Sequence, residues 1–230
     1  MAKSGSARCS IGFLLVFVAA LAGCGRGGND APLESRQASV GDSDATKSDD
    51  AARDGRRAIS KVGIETSMGT IVVEFNSQEA PLTVNNFLQY VDEGFYDGTI
   101  FHEIHEGSAV IAGTHTKDLE KKMSRVSVRN EAHNGLKNVR GAVAMARDPG
   151  MIDSATSGFF INLTDNPHLD HQDDTPEGYG YCVFGKVVEG MDVAERVGKV
   201  KTHDTQDKAG KPLDRSPVEP VVIRSIRVMR

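Results

Sequence analysis

The chain predicts an all-β barrel or sandwich plugged by helices. From residue 59 onward, apolar runs of strand length recur between Gly, Asp, Asn and Pro, and they are rich in β-branched and aromatic residues. Only two stretches carry a helical period, Pro81–Val91 and Met191–Val197. No internal repeat divides these residues, so 59–230 make one domain with room for a single substantial core.

Residues 1–23 read as a secretory signal. Lys3 and Arg8 precede the run Ile11–Leu21, which is apolar apart from Gly12. The run is too short to span a bilayer as a mature helix. It ends in Leu21-Ala22-Gly23-Cys24, a lipoprotein cleavage box; an ordinary signal peptide with a chance Cys is the competing reading. Cleavage before Cys24 leaves a terminal cysteine for diacylglycerol, and each buried methylene strengthens the anchor by about 0.8 kcal/mol. The expected location is therefore outside the cytoplasm, lipid-anchored to a bacterial membrane on its periplasmic or cell-surface face. The three cysteines agree: Cys9 is removed, Cys24 is lipidated, and Cys182 is left with no disulfide partner. Cys182, alone in an apolar run, reads as a small buried hydrophobe.

Residues 24–58 carry the lipidated Cys24 and then a disordered tether. Beyond Leu33 and Val40 they hold almost nothing large and apolar to offset the entropy of ordering. A flexible coil of this length spans roughly 30 Å. Its acidic runs, Asp42–Asp44 and Asp49–Asp50, read as solvation.

The domain opens with Val62–Thr66 and Thr70–Phe75, joined by Ser67-Met68-Gly69, a hairpin with Ile71, Val73 and Phe75 on one face. Pro81 opens a helix at a first-turn position, Val84, Phe87, Leu88 and Val91 make its stripe, and Gly94 stops it. Thr99–Ile104, Val110–Ala112 and Val126–Val128 are expected strands, followed by Ala142–Ala146, Phe159–Leu163 and Cys182–Val188. Met191–Val197 is a short helix after Gly190, and Val221–Met229 is a closing strand. A net charge of −5 argues against a nucleic-acid binder.

The order of Gly141–Arg147, Ser157–Asn162, Leu169–Asp170 and Val183–Gly190 resembles the cyclophilin-type peptidyl-prolyl isomerases. The likeness covers nearly all of Val62–Val228. It implies a closed eight-stranded antiparallel barrel capped by two helices, and no cofactor. It also implies action on the X–Pro bond, whose rotation meets a barrier of about 18–20 kcal/mol. Such a catalyst needs an apolar slot for the proline ring and a donor aimed at the prolyl nitrogen, with no covalent step. The partners implied are proline-containing peptides or unfolded exported proteins. The membrane is met only through the anchor, and a monomer is expected.

The resemblance places an Arg donor directly after a Phe-His pair, but here Phe101-His102 is followed by Glu103. An ionised carboxylate only accepts hydrogen bonds. Where the family has a Phe-Met pair and a Gln lining the slot, this chain has Ser108, Ala109 and Ile111. Gly158 replaces a second Gln, and His168 replaces an aromatic residue before Leu169-Asp170, which makes tight binding of the family's cyclic peptide inhibitor unexpected. Ala146, Phe160, Leu169 and Tyr181 survive as apolar floor and rim.

Losing the donor costs about 2.7–4 kcal/mol of transition-state binding, by analogy with oxyanion holes. Weak isomerase activity is the expectation, with a silent module that holds proline-containing or extended segments as the alternative. Two rescues are conceivable: a Glu103 kept protonated by burial, or Arg147 swinging into the groove. His102, His105, Glu106 and His115 surround Glu103, but His102-x-x-His105 without a Cys is a poor zinc pattern, and no metal is expected. His102 belongs to the family pattern as a packing or hydrogen-bonding residue, while His133, His168, His171 and His203 read as surface groups.

Overall fold

The computed structural model describes residues 61–229. The expected signal segment, Cys24 and the tether lie outside the described residues. Strands β1 (Lys61–Thr66) and β2 (Gly69–Phe75) form the expected hairpin, closed by a pairing of Thr66 with Gly69. The Thr66 hydroxyl donates to the Gly69 carbonyl at 2.6 Å and accepts from the Met68 amide at 3.0 Å, which satisfies the turn internally.

Helix α1 (Pro81–Asp92) buries Val84, Phe87, Leu88 and Val91, and Gly94 follows it at φ 62 in the left-handed region. Ala80 offers its N-terminus no side-chain cap. The buried carboxylate of Glu131 takes that role, accepting from the Thr83 amide at 2.8 Å and the Leu82 amide at 3.2 Å.

The chain continues through β3 (Thr99–His105), β4 (Ala109–Thr116), β5 (Ala142–Met145), β6 (Phe159–Asn162) and β7 (Val183–Glu189). Helix α2 (Met191–Val197), β8 (Thr202–Gln206), β9 (Pro212–Pro217) and β10 (Val221–Met229) complete it. Eight strands close into an antiparallel barrel in the order β1-β10-β3-β4-β6-β5-β7-β2, while β8 and β9 pair separately. Alternation along β6 sends Phe159 and Ile161 into the main core and Phe160 outward. The core takes Phe87 and Leu88 from α1 and Val193 and Val197 from α2. Phe87 packs on Tyr96, Phe184 and Phe159 at ring distances of 5.0, 5.2 and 5.5 Å.

Two expectations are corrected, and one element is new. Val126–Val128 is not a strand: Val126 is exposed, and the segment meets the rest of the fold through the Val128 amide, which donates to the Ala155 carbonyl at 2.9 Å. A closed barrel leaves no free edge for it to join. Cys182 is buried but precedes β7 instead of opening it. The β8–β9 hairpin was not foreseen, because its residues are mostly polar and exposed and carry no alternating apolar pattern.

Candidate active site

Register builds the site. Glu103 on β3 lies opposite Ile111 on β4, Ile111 opposite Phe160 on β6, and Phe160 opposite Ala144 on β5. These residues form one row on the outer face of the barrel. Adjacent strands are about 4.8 Å apart, so Glu103 stands two strand spacings, roughly 10 Å, from Phe160. The adjoining row runs His105–Ala109–Asn162.

A groove of about 490 Å³ opens over these rows. Glu103, Ser108, Ala109, Ile111 and Ala146 line it, together with Gly158, Phe160, His168, Leu169 and Tyr181. Residues from five separate stretches of sequence thus share one cleft. Glu106 is exposed and does not line it.

The apolar part rests on Phe160, whose ring meets Tyr181 edge-to-face at 5.6 Å. Asn138 fixes the rim, donating through Nδ2 to the Leu169 carbonyl at 3.1 Å and to the Tyr181 carbonyl at 3.4 Å. Its amide donates to the Asp170 carboxylate at 2.7 Å. Asn162 donates to Asn138 Oδ1 at 3.2 Å, and Asn166 to Asn162 Oδ1 at 2.8 Å. The Ser108 hydroxyl joins this chain by donating to Asn166 Oδ1 at 3.1 Å, so it presents a polar group committed elsewhere. Gly158 is tight: a Cβ there would lie 3.0 Å from the Thr114 methyl and 3.3 Å from Ala146 Cβ.

Arg147 is a strut of the rim. Its Nε donates to the Gly180 carbonyl at 2.8 Å, Nη2 to Pro176 at 2.7 Å and Nη1 to Pro149 at 2.9 Å. Its guanidinium also lies 4.9 Å from the centre of the Tyr181 ring. Swinging into the groove would break these bonds and the contact with the Tyr181 ring, although the Gly180 carbonyl would still accept from Asn130 Nδ2 at 3.1 Å.

The polar part is anionic at Glu103. Its Oε1 accepts from His105 Nε2 at 2.6 Å, and its side chain is 29% exposed. The hydrogen bond from His105 holds the Glu103 carboxyl below its ordinary range, against the opposing effect of burial. Glu103 is thus a carboxylate near neutral pH, and the protonated rescue runs against its surroundings.

Beyond it, His102 is buried, and burial followed by the nearby His115 charge depresses its pKa to about 4. Its Nε2 lies 3.2 Å from the Thr114 hydroxyl, and its ring lies 4.8 Å from that of His115. His115 Nε2 lies 3.6 Å from an Asp207 carboxylate oxygen. Asp207 also shapes the β8–β9 turn, accepting from the Lys211 amide at 2.8 Å and the Ala209 amide at 2.9 Å. Lys211, Pro212 and Leu213 thereby become a wall of the groove. Sequence reasoning missed this wall. The Asp207-x-x-Gly210 pattern, with Gly210 at φ 82, was the turn signal available. Among the described residues, no group of three or more His, Cys, Asp or Glu side chains is placed to hold a metal ion.

The family described as cyclophilin type peptidyl-prolyl cis-trans isomerase/CLD matches residues 61–228. The chain is 46% identical over 173 residues to the peptidyl-prolyl cis-trans isomerase cyp18 of Streptomyces antibioticus, covering 74% of this chain and 99% of that protein. It is 42% identical over 167 residues to peptidyl-prolyl cis-trans isomerase B of Escherichia coli K12, covering 73% and 98% respectively. The crystal structure of a Cryptosporidium parvum cyclophilin, solved in the presence of the dipeptide Ala-Pro, is similar with a TM-score of 0.57 and 23% identity, covering 74% of this chain and 99% of that one. That last likeness is one of fold.

Proposed function

The chain belongs to the cyclophilin-type peptidyl-prolyl cis-trans isomerase family, and on that premise we propose that it is a low-turnover isomerase domain that assists the folding of exported proteins. Cyclophilins act on proline-containing peptides, and the apolar floor of Phe160, Leu169, Tyr181 and Ala146 suits a proline ring.

One observation carries the low turnover. Glu103 lines the same groove as that floor as a carboxylate, and the hydrogen bond from His105 lowers its pKa further below the ordinary range. Rotation about the imide bond is eased when a donor engages the prolyl nitrogen and draws its lone pair out of resonance. A carboxylate has no proton to offer and opposes the developing lone pair. Arg147, the cation considered as a substitute donor, is committed to backbone carbonyls. The same observation favours the second reading, a silent module that holds proline-containing segments without turning them over.

A protease-coupled isomerisation assay on an Ala-Pro peptide separates the two readings and tests the first. Turnover above the uncatalysed rate, but about 100–1000-fold below that of a competent cyclophilin, is the expected result. Full activity would sink the proposal, and none at all would leave the holding module. Export and anchoring at Cys24 are part of the proposal. They rest on the apolar run ending in Leu21-Ala22-Gly23-Cys24, and labelling with radioactive palmitate, lost in Cys24→Ala, is the check.

A further inference from the structure

The apolar slot of the groove ends against a carboxylate, and from this juxtaposition we propose that the protein selects proline-containing segments bearing a lysine or arginine within two residues of the proline. The inference rests on the reading of the groove as the seat of such segments, and it names their specificity.

Glu103, Ile111 and Phe160 share one row, so the carboxylate-bearing strand lies roughly 10 Å from the strand that floors the slot. An extended peptide advances about 3.3–3.6 Å per residue. A residue two positions from a proline seated on Phe160 is therefore about 7 Å away along the chain, and a lysine or arginine side chain covers the rest. Glu103 Oε1 accepts one hydrogen bond, from His105, and no described residue donates to Oε2. With 29% of the side chain exposed, the charge is reachable, yet it is screened less than on an open surface.

The cations of the groove leave this corner negative. Arg147 is bound to the carbonyls of Gly180 and Pro176. Lys211 exerts its charge on His115 at the Asp207 end, and Lys121 on His115 and on His102, but neither forms an ion pair with Glu103. Arg215 on β9 is near enough to influence Glu103, but the two form no ion pair. The same field repels an acidic residue at the position a lysine would fill.

The test is fluorescence anisotropy on the full chain, with labelled peptides containing one proline. Lysine, glutamine or glutamate is placed singly, one or two positions before or after that proline. At one of these positions the lysine peptide is expected to bind about tenfold tighter than the glutamine peptide, with glutamate weakest, and the gap should close as salt is added. Glu103→Gln should erase the difference between lysine and glutamine. A peptide with alanine for proline separates the layers of the argument. If proline itself adds no affinity, the groove reading and this inference fall together. If proline matters but lysine is not preferred anywhere, or the preference persists in Glu103→Gln, the specificity alone is overturned. Should Glu103→Gln not fold, the comparison of lysine with glutamine in the parent protein, with its salt dependence, still decides.

Discussion

Replacing Glu103 with arginine should raise isomerase activity, but by only part of what the missing donor is worth. A donor in a partly dry site contributes about 2.7–4 kcal/mol of transition-state binding, a factor of roughly 100–1000. Two features of the groove hold back the gain. Ser108 and Ala109 stand where the slot needs bulk, and the Ser108 hydroxyl is tied to Asn166. Each large apolar side chain absent from the slot forfeits about 1.5–3 kcal/mol of contact, so the proline ring is held loosely. A reacting group misplaced by about 1 Å can lose 100-fold.

Glu103→Arg alone is therefore expected to gain about tenfold in kcat/KM, within the upper limit set by the donor. Adding Ser108→Phe, Ala109→Met and Ile111→Gln should bring the rest. Loss of the 2.6 Å bond between Glu103 and His105 should cost about 1 kcal/mol of stability, small because both side chains are partly exposed. The assay is protease-coupled isomerisation, with urea denaturation run alongside. A parent protein as fast as a competent cyclophilin, or a fourfold variant no faster than the parent while still folded, refutes the reasoning.

His102 is buried with a pKa of about 4 against an ordinary 6.5, so the unfolded chain takes up the proton first as pH falls. Its contribution is complete above pH 6.5, is lost between 6.5 and 4 and amounts to about 3 kcal/mol; chemical denaturation across pH should show the loss, and His102→Gln should flatten it. Asn138→Ala removes the donor that holds the Leu169 and Tyr181 carbonyls, and should cost about 2–3 kcal/mol along with weaker peptide binding. If peptide affinity is unchanged at full folding, Asn138 does not position the rim. Cys182 is 3% exposed, and burial pushes its thiol up to about 11. Alkylation of Cys182 in the folded protein should be slow and should track global unfolding; rapid labelling under native conditions would contradict its burial.

Much of the barrel was legible because its signals are local. Alternation in Thr70–Phe75, the stripe of Val84, Phe87, Leu88 and Val91, and the left-handed Gly94 each declare themselves within a few residues. Val126–Val128 misled for the same reason. It has the residue types of a strand, but whether a strand pairs depends on an edge that its own sequence does not describe. The β8–β9 hairpin was hidden by the converse: polar residues paired because Asp207 builds their turn and meets His115 on β4, a contact between segments far apart in the chain.

Which side chains the cleft would contain could be read from residue identity alone, since an anion at 103 and small residues at 108 and 109 need no fold to be recognised. What those side chains face came from the folding of distant segments against one another. Register across β3, β4 and β6 set Glu103 on one row with Phe160, His105 bonded its carboxylate and lowered its pKa, and the carbonyls of Gly180 and Pro176 engaged Arg147. Charge is carried by a residue, whereas its direction and its company are set by strand pairings and hydrogen bonds that close only when distant segments meet.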